Sequence, residues 1–221
     1  MTEGDLFILT RTKMKEPQDS EEFIARQKAI LAENPECANS HYNLGVSLLE
    51  KGKLDEAVEA FQEAIANSGR MFEAWVNLGY IYFKKGDLDQ VVETNLKAIE
   101  IEPRYARGYA NLGFAYLQMT ETDKAIESLE KALELNPDIV QAKANLINAF
   151  LQNDEVDKAI ETGEELVEKA PDFSLGNNNL AVAYYNKQEY EKAIKYMDKA
   201  ISLGFQVHPD FIKILEQHRD S

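Results

Sequence analysis

The chain has 221 residues and a formal net charge of −15, with 44% hydrophobic residues. That charge repels phosphate backbones and anionic headgroups, which argues against nucleic acid and membrane surfaces as partners. No stretch approaches the apolar length of a membrane span. The N-terminus, Met1-Thr2-Glu3-Gly4-Asp5, is acidic where a secretory signal is basic, and Cys37 is the single cysteine. Both features lead to the expectation of a cytoplasmic protein without a disulfide.

Residues 1–19 show no helical period and read as an N-terminal tail. Leu6-Phe7-Ile8-Leu9-Thr10 is apolar and suits an extended conformation, and Arg11, Lys13 and Lys15 follow it. Residues 20–37 read as a lone helix, with Phe23 and Ile30 on its packing side and Pro35 beyond its end. The organising feature comes next. Asn43-Leu44-Gly45 recurs as Asn77-Leu78-Gly79 and Asn111-Leu112-Gly113, then weakened as Asn145-Leu146-Ile147 and Asn179-Leu180-Ala181, each 34 residues after the last. A fixed period of this length means stacked helical hairpins, not one closed core.

The units are 38–71, 72–105, 106–139, 140–173 and 174–207. Position 4 holds His41, Trp75, Tyr109, Lys143 and Asn177; position 11 holds Leu48, Tyr82, Tyr116, Phe150 and Tyr184. Position 20 holds Ala57, Val91, Ala125, Ala159 and Ala193, and position 27 holds Ala64, Ala98, Ala132, Leu166 and Ala200. Apolar residues at 4, 7 and 11 share one stripe of a first helix. Small residues at 8, 20 and 27 let a second helix come close. Lys-Gly-Lys at 51–53 and Lys-Gly-Asp at 85–87 are turn chemistry, and Pro103, Pro137 and Pro171 close hairpins. Asn95 and Gly163 depart from the pattern at position 24, where a large apolar residue is usual, so unit 140–173 is expected to be the softest. Pro209-Asp210 opens a last helix in 208–221, with Phe211, Ile214 and Leu215 expected to face inward as a cap.

With Leu-Gly at 7 and 8, Tyr at 11, Ala at 20 and 27 and Pro at 32, residues 38–207 resemble the tetratricopeptide repeat family; unit 106–139 fits best. The resemblance implies an all-α, right-handed superhelical solenoid of antiparallel helix hairpins. It further implies that first helices line a concave groove, with positions 2, 5, 6, 9, 12 and 13 facing it. Those positions hold the amides Asn43, Asn77, Asn111, Asn145 and Asn179, the rings Tyr80, Phe83, Phe114 and Tyr185, and the cation Arg107. An Asn amide offers both donors and an acceptor, so a row of them pairs with a peptide backbone regardless of its side chains. Five contacts of about 1 kcal/mol each, less the cost of ordering the peptide, suggest micromolar binding.

The expected function is therefore a non-enzymatic adaptor that binds an extended segment of a partner protein. Self-assembly into homo-oligomers is the alternative, and the N-terminal tail is a candidate occupant of the groove. A carboxylate clamp for acidic tails is not expected: its places hold Tyr42, Val46, Asn77, Arg107 and Asn111, where the family pattern has Lys, Asn, Asn, Lys and Arg. Cys37 and His41, four residues apart, read as junction and packing residues and not as a reactive pair. No metal-ligand spacing and no phosphate loop occurs, so neither a metal nor a cofactor is expected.

Overall fold

The computed structural model describes residues 21–219. They form twelve helices, with no strand among the described residues: α1 (Glu21–Glu33), α2 (Ala38–Glu50), α3 (Leu54–Asn67), α4 (Phe72–Lys85), α5 (Leu88–Ile101), α6 (Ala106–Gln118), α7 (Thr122–Leu135), α8 (Val140–Gln152), α9 (Val156–Lys169), α10 (Ser174–Asn186), α11 (Tyr190–Ser202) and α12 (Pro209–Glu216). Five hairpins, α2–α3 to α10–α11, are thus flanked by α1 and α12, the all-α architecture that the repeat implies. Residues 1–19, the tail of the sequence reading, lie outside the described residues. Two compact units divide the chain, one ending at Asn111 and the other beginning at Leu112.

The hairpin turn is the same in every repeat. The residue at position 15 has positive φ each time: Gly52 at 73°, Gly86 at 75°, Thr120 at 58°, Asp154 at 59° and Gln188 at 64°. The next residue's N–H then donates back to the carbonyl at position 11, in Lys53→Leu48, Asp87→Tyr82, Glu121→Tyr116, Glu155→Phe150 and Glu189→Tyr184, at 2.8–3.0 Å. This is a Schellman closure, which satisfies carbonyls that a helix end would otherwise orphan. It reverses the chain within three residues and fixes the angle between paired helices.

In residues 21–111 the core joins Leu48, Ala57, Phe61, Ala64, Leu78 and Ile81. A Cβ added at Gly45 would stand 2.7 Å from Phe61 Cε1. Position 8 therefore faces position 24, and the pair shares one volume. In residues 112–219 a Cβ at Gly113 would stand 2.4 Å from Leu129 Cγ. Unit 140–173 inverts the pair: Ile147 is fully buried at position 8 and Gly163 leaves the room at 24, where Leu180 of the next repeat comes within 2.8 Å of a would-be Cβ. The room beside the glycine that marks this unit as soft in the sequence is taken by Leu180 of the next repeat.

Both ends differ in detail from the expectation. On α1, Phe23, Ile24 and Gln27 are buried, but Ile30 is 36% exposed. On α12, Leu215 is buried while Ile214 is 38% exposed, and Ile212 takes the inward place beside Phe211. Eight residues of helix can present only one narrow stripe, and Leu215 with Phe211 and Ile212 fills it.

Candidate functional site

In residues 21–111 the first helices α2, α4 and the start of α6 carry Asn43, Asn77, Asn111, Tyr80, Phe83 and Arg107. Tyr80 and Phe83 stand three residues apart on α4, so both project from one side of it. Both rings are half-buried, and the Lys84 ammonium lies 5.7 Å from the Tyr80 ring centre. Arg107 is exposed in the first turn of α6, just after Tyr105, whose ring lies 5.3 Å from that of Phe72.

The ladder amides are placed differently from the sequence expectation. Asn43 is half-buried, but Asn77, Asn111, Asn145 and Asn179 are only 1–4% exposed. Asn77 Nδ2 lies 3.5 Å from Tyr42 Oη, and Asn179 Nδ2 donates to the Ala144 carbonyl at 3.0 Å. Each links position 6 of one repeat to position 5 of the repeat before, 35 residues back. Asn111 Nδ2 donates to Asn95 Oδ1 at 3.3 Å, while Asn95 Nδ2 donates to the Val91 carbonyl at 2.8 Å. Asn145 Oδ1 accepts from Gln141 Nε2 at 3.3 Å. A buried amide that meets no partner costs about 1–3 kcal/mol, so these side chains bond to their neighbours. Asn77, Asn111 and Asn179 thus join one helix to another, whereas Asn145 bonds within α8.

Asn95 was not among the candidates for this site. It is fully buried at position 24, where the family carries a large apolar group, and it is the partner of Asn111. The signal was its departure from the pattern, which reads in sequence only as altered packing.

In residues 112–219, Phe114 is buried, and Tyr185 packs edge-on against Phe211 at 5.5 Å and tilted against Tyr190 at 6.0 Å. Tyr185 is thereby tied to the terminal cap. Tyr190 in turn stacks on His218 at 3.7 Å. Tyr184, buried at position 11, donates its hydroxyl to Glu164; burial first, and the Glu164 carboxylate next, push the phenol above its ordinary range. Lys143, at the position that Trp75 and Tyr109 fill elsewhere, is buried with its ammonium 3.0 Å from Glu165.

Cys37 and His41 do not pair. The Cys37 thiol lies 3.2 Å from Ser40 Oγ, and His41 Nε2 lies 2.8 Å from the Pro35 carbonyl. Hydrogen bonding to the Ser40 hydroxyl holds the thiol below its ordinary pKa. Among the described residues no group of three or more His, Cys, Asp or Glu side chains is arranged to hold a metal ion. No described helix is long and apolar enough to cross a membrane.

Comparison with known proteins agrees with this architecture. Tetratricopeptide repeat models match residues 24–70, 106–139 and 174–204, and a TPR repeat model matches 79–119. The chain is similar in structure to YrrB, described as a TPR protein with an unusual peptide-binding site, at 22% identity and a TM-score of 0.71, covering 88% of this chain and 97% of that one. It is similar to the MamA protein at 25% identity and a TM-score of 0.70, over 79% of this chain and 100% of that one. It also resembles pilF of Pseudomonas aeruginosa at 22% identity and a TM-score of 0.68, over 78% and 79%. A comparison with curated proteins gives no match. Repeat period, hairpin geometry and family models together place the chain in the tetratricopeptide repeat family, whose repeats build protein-interaction scaffolds.

Proposed function

We propose that this protein is an adaptor that binds an extended segment of a partner protein on the first helices of its hairpins. The carrying observation is the pair of half-buried rings, Tyr80 and Phe83, on α4 beside the Asn77–Tyr42 contact that joins α4 to α2. Side-chain pockets of this kind supply the apolar anchors on which peptide affinity depends. Asn43, half-buried, and Arg107, exposed, are polar side chains on these first helices. Asn77 acts as a positioning residue, because its contact with Tyr42 joins α4, which carries the rings, to α2, while Asn111 joins α6 to α5. In residues 112–219 Phe114, Asn145 and Asn179 are buried on the first helices, and Tyr185 is tied to the cap. The likeness to YrrB is in keeping with this reading, and an acidic adaptor with a free thiol suits a reducing cytoplasm.

The test is a crosslinked pull-down read by mass spectrometry, comparing wild type with Tyr80→Ala/Phe83→Ala. Partners captured by wild type should be lost from the variant while its circular dichroism is unchanged. An identical partner list would defeat the proposal. A second reading, self-assembly, is favoured by Ile201 and Ile214, exposed at the C-terminal end. Light scattering distinguishes it: the adaptor is a monomer at micromolar concentration, and the assembly is not.

A further inference from the structure

We propose that Leu6-Phe7-Ile8-Leu9-Thr10 of this same chain is a ligand for the face on α2 and α4, so that the protein competes with its partners for its own binding surface. The inference rests on the reading of that face given above.

The point at which the described chain begins sets the reach. Glu21 is ion-paired with Lys51, which directly follows α2, so the chain enters α1 beside the C-terminal end of α2. One repeat on, Lys85 holds Asp55 in the same way at 2.6 Å, and Lys85 is two residues past Phe83. Neighbouring helices stand about 8–10 Å apart. Ten residues, 11–20, separate Thr10 from Glu21. Fully extended they span about 33 Å, which covers the step from α2 to α4 with slack.

The chemistry fits as well. In an extended strand Phe7 and Leu9 point to one side, which suits two rings a helical turn apart. Arg11, Lys13 and Lys15 fall in the connecting stretch, which joins Glu21 where that residue pairs with Lys51, next to the exposed Glu50. With Glu16 and Asp19 the stretch carries a net charge of +1 against −16 for the rest of the chain, so the body attracts it weakly. Tethering by a short linker gives a local concentration on the order of 1 mM. Against an intrinsic Kd of about 10 μM, that weakens a competing ligand roughly 100-fold.

The experiment uses full chains and a fluorescein-labelled synthetic peptide of residues 4–13, followed by anisotropy. The probe should bind Phe7→Asp/Leu9→Asp at least tenfold more tightly than wild type. Adding Tyr80→Ala/Phe83→Ala to that chain should abolish binding with circular dichroism unchanged; Tyr80→Ser alone is the milder variant if the double change unfolds. Equal affinity for wild type and the tail variant, or binding that survives the α4 substitutions, overturns the inference. So does a wild-type dimer that the tail substitutions dissolve, since the ligand would then be a second copy's tail. If the probe fails to bind while Tyr80→Ala/Phe83→Ala still loses partners in the pull-down, the tail inference falls and the α4 face stands.

Discussion

At position 15 four different residue types meet one backbone requirement in five repeats. Gly52 and Gly86 adopt positive φ freely, whereas Thr120, Asp154 and Gln188 do so against the clash of Cβ with the following carbonyl. Asp tolerates this region better than most residues, and a β-branched Thr tolerates it worst. Glycine gives back part of the gain through its larger backbone entropy in the unfolded chain. Thr120→Gly should therefore stabilise the protein by about 0.5–1 kcal/mol, while Gly52→Ala should cost about 1 kcal/mol. Urea unfolding of both variants against wild type checks the opposite signs. A loss of stability in Thr120→Gly would show that the Thr120 hydroxyl, which donates to the Met119 carbonyl at 2.7 Å, matters more than the strain.

At the scale of helix pairs, stability is decided where positions 8 and 24 meet. A Cβ at Gly113 would lie 2.4 Å from Leu129 Cγ and 3.2 Å from the Ala125 carbonyl oxygen, and backbone cannot step aside. Gly113→Ala should therefore cost about 1–3 kcal/mol, the ordinary range for overpacking. Gly69, in the connection from α3 to α4, meets nothing within 4 Å, so Gly69→Ala should be neutral or stabilise by up to about 1 kcal/mol. Thermal melts of the two variants make the comparison, and equal shifts would refute the facing-position argument. The hairpins and the close-packing glycines were legible because repeat spacing dictates them. The turn was legible only where it contained glycine: nothing in Thr120, Asp154 or Gln188 announces a left-handed residue. Burial of the ladder was not legible either. Position 6 adjoins both the groove positions and the neighbouring repeat, and only the Tyr42, Asn95 and Ala144 contacts show which side the amide serves.

Across the whole molecule, ion pairs recur with the repeat: Lys51 with Glu21, Lys85 with Asp55 and Lys187 with Asp157, each 30 residues apart. All are largely exposed on the acidic side, so each is worth little by itself. The terminal cap is a different case, because a repeat array frays from its ends. Arg219 grips both oxygens of Asp198, at 2.8 and 2.6 Å, and also bonds Glu216 at 2.8 Å. The Arg219 guanidinium holds the Asp198 carboxyl below its ordinary pKa. A carboxylate with a depressed folded-state pKa contributes stability that is complete above its unfolded value, near 3.9, and vanishes as pH falls through the lower folded value. Because the pair is partly exposed, the contribution is about 1 kcal/mol or less. Asp198→Asn should thus speed hydrogen exchange of the α12 amides several-fold at pH 6. The difference from wild type should close only as pH falls through the lowered folded-state value, below which Asp198 is protonated in both states. Unaltered exchange at pH 6 would assign the cap to its apolar contacts alone, with Leu215 and the Tyr185–Phe211 ring pair holding it in place.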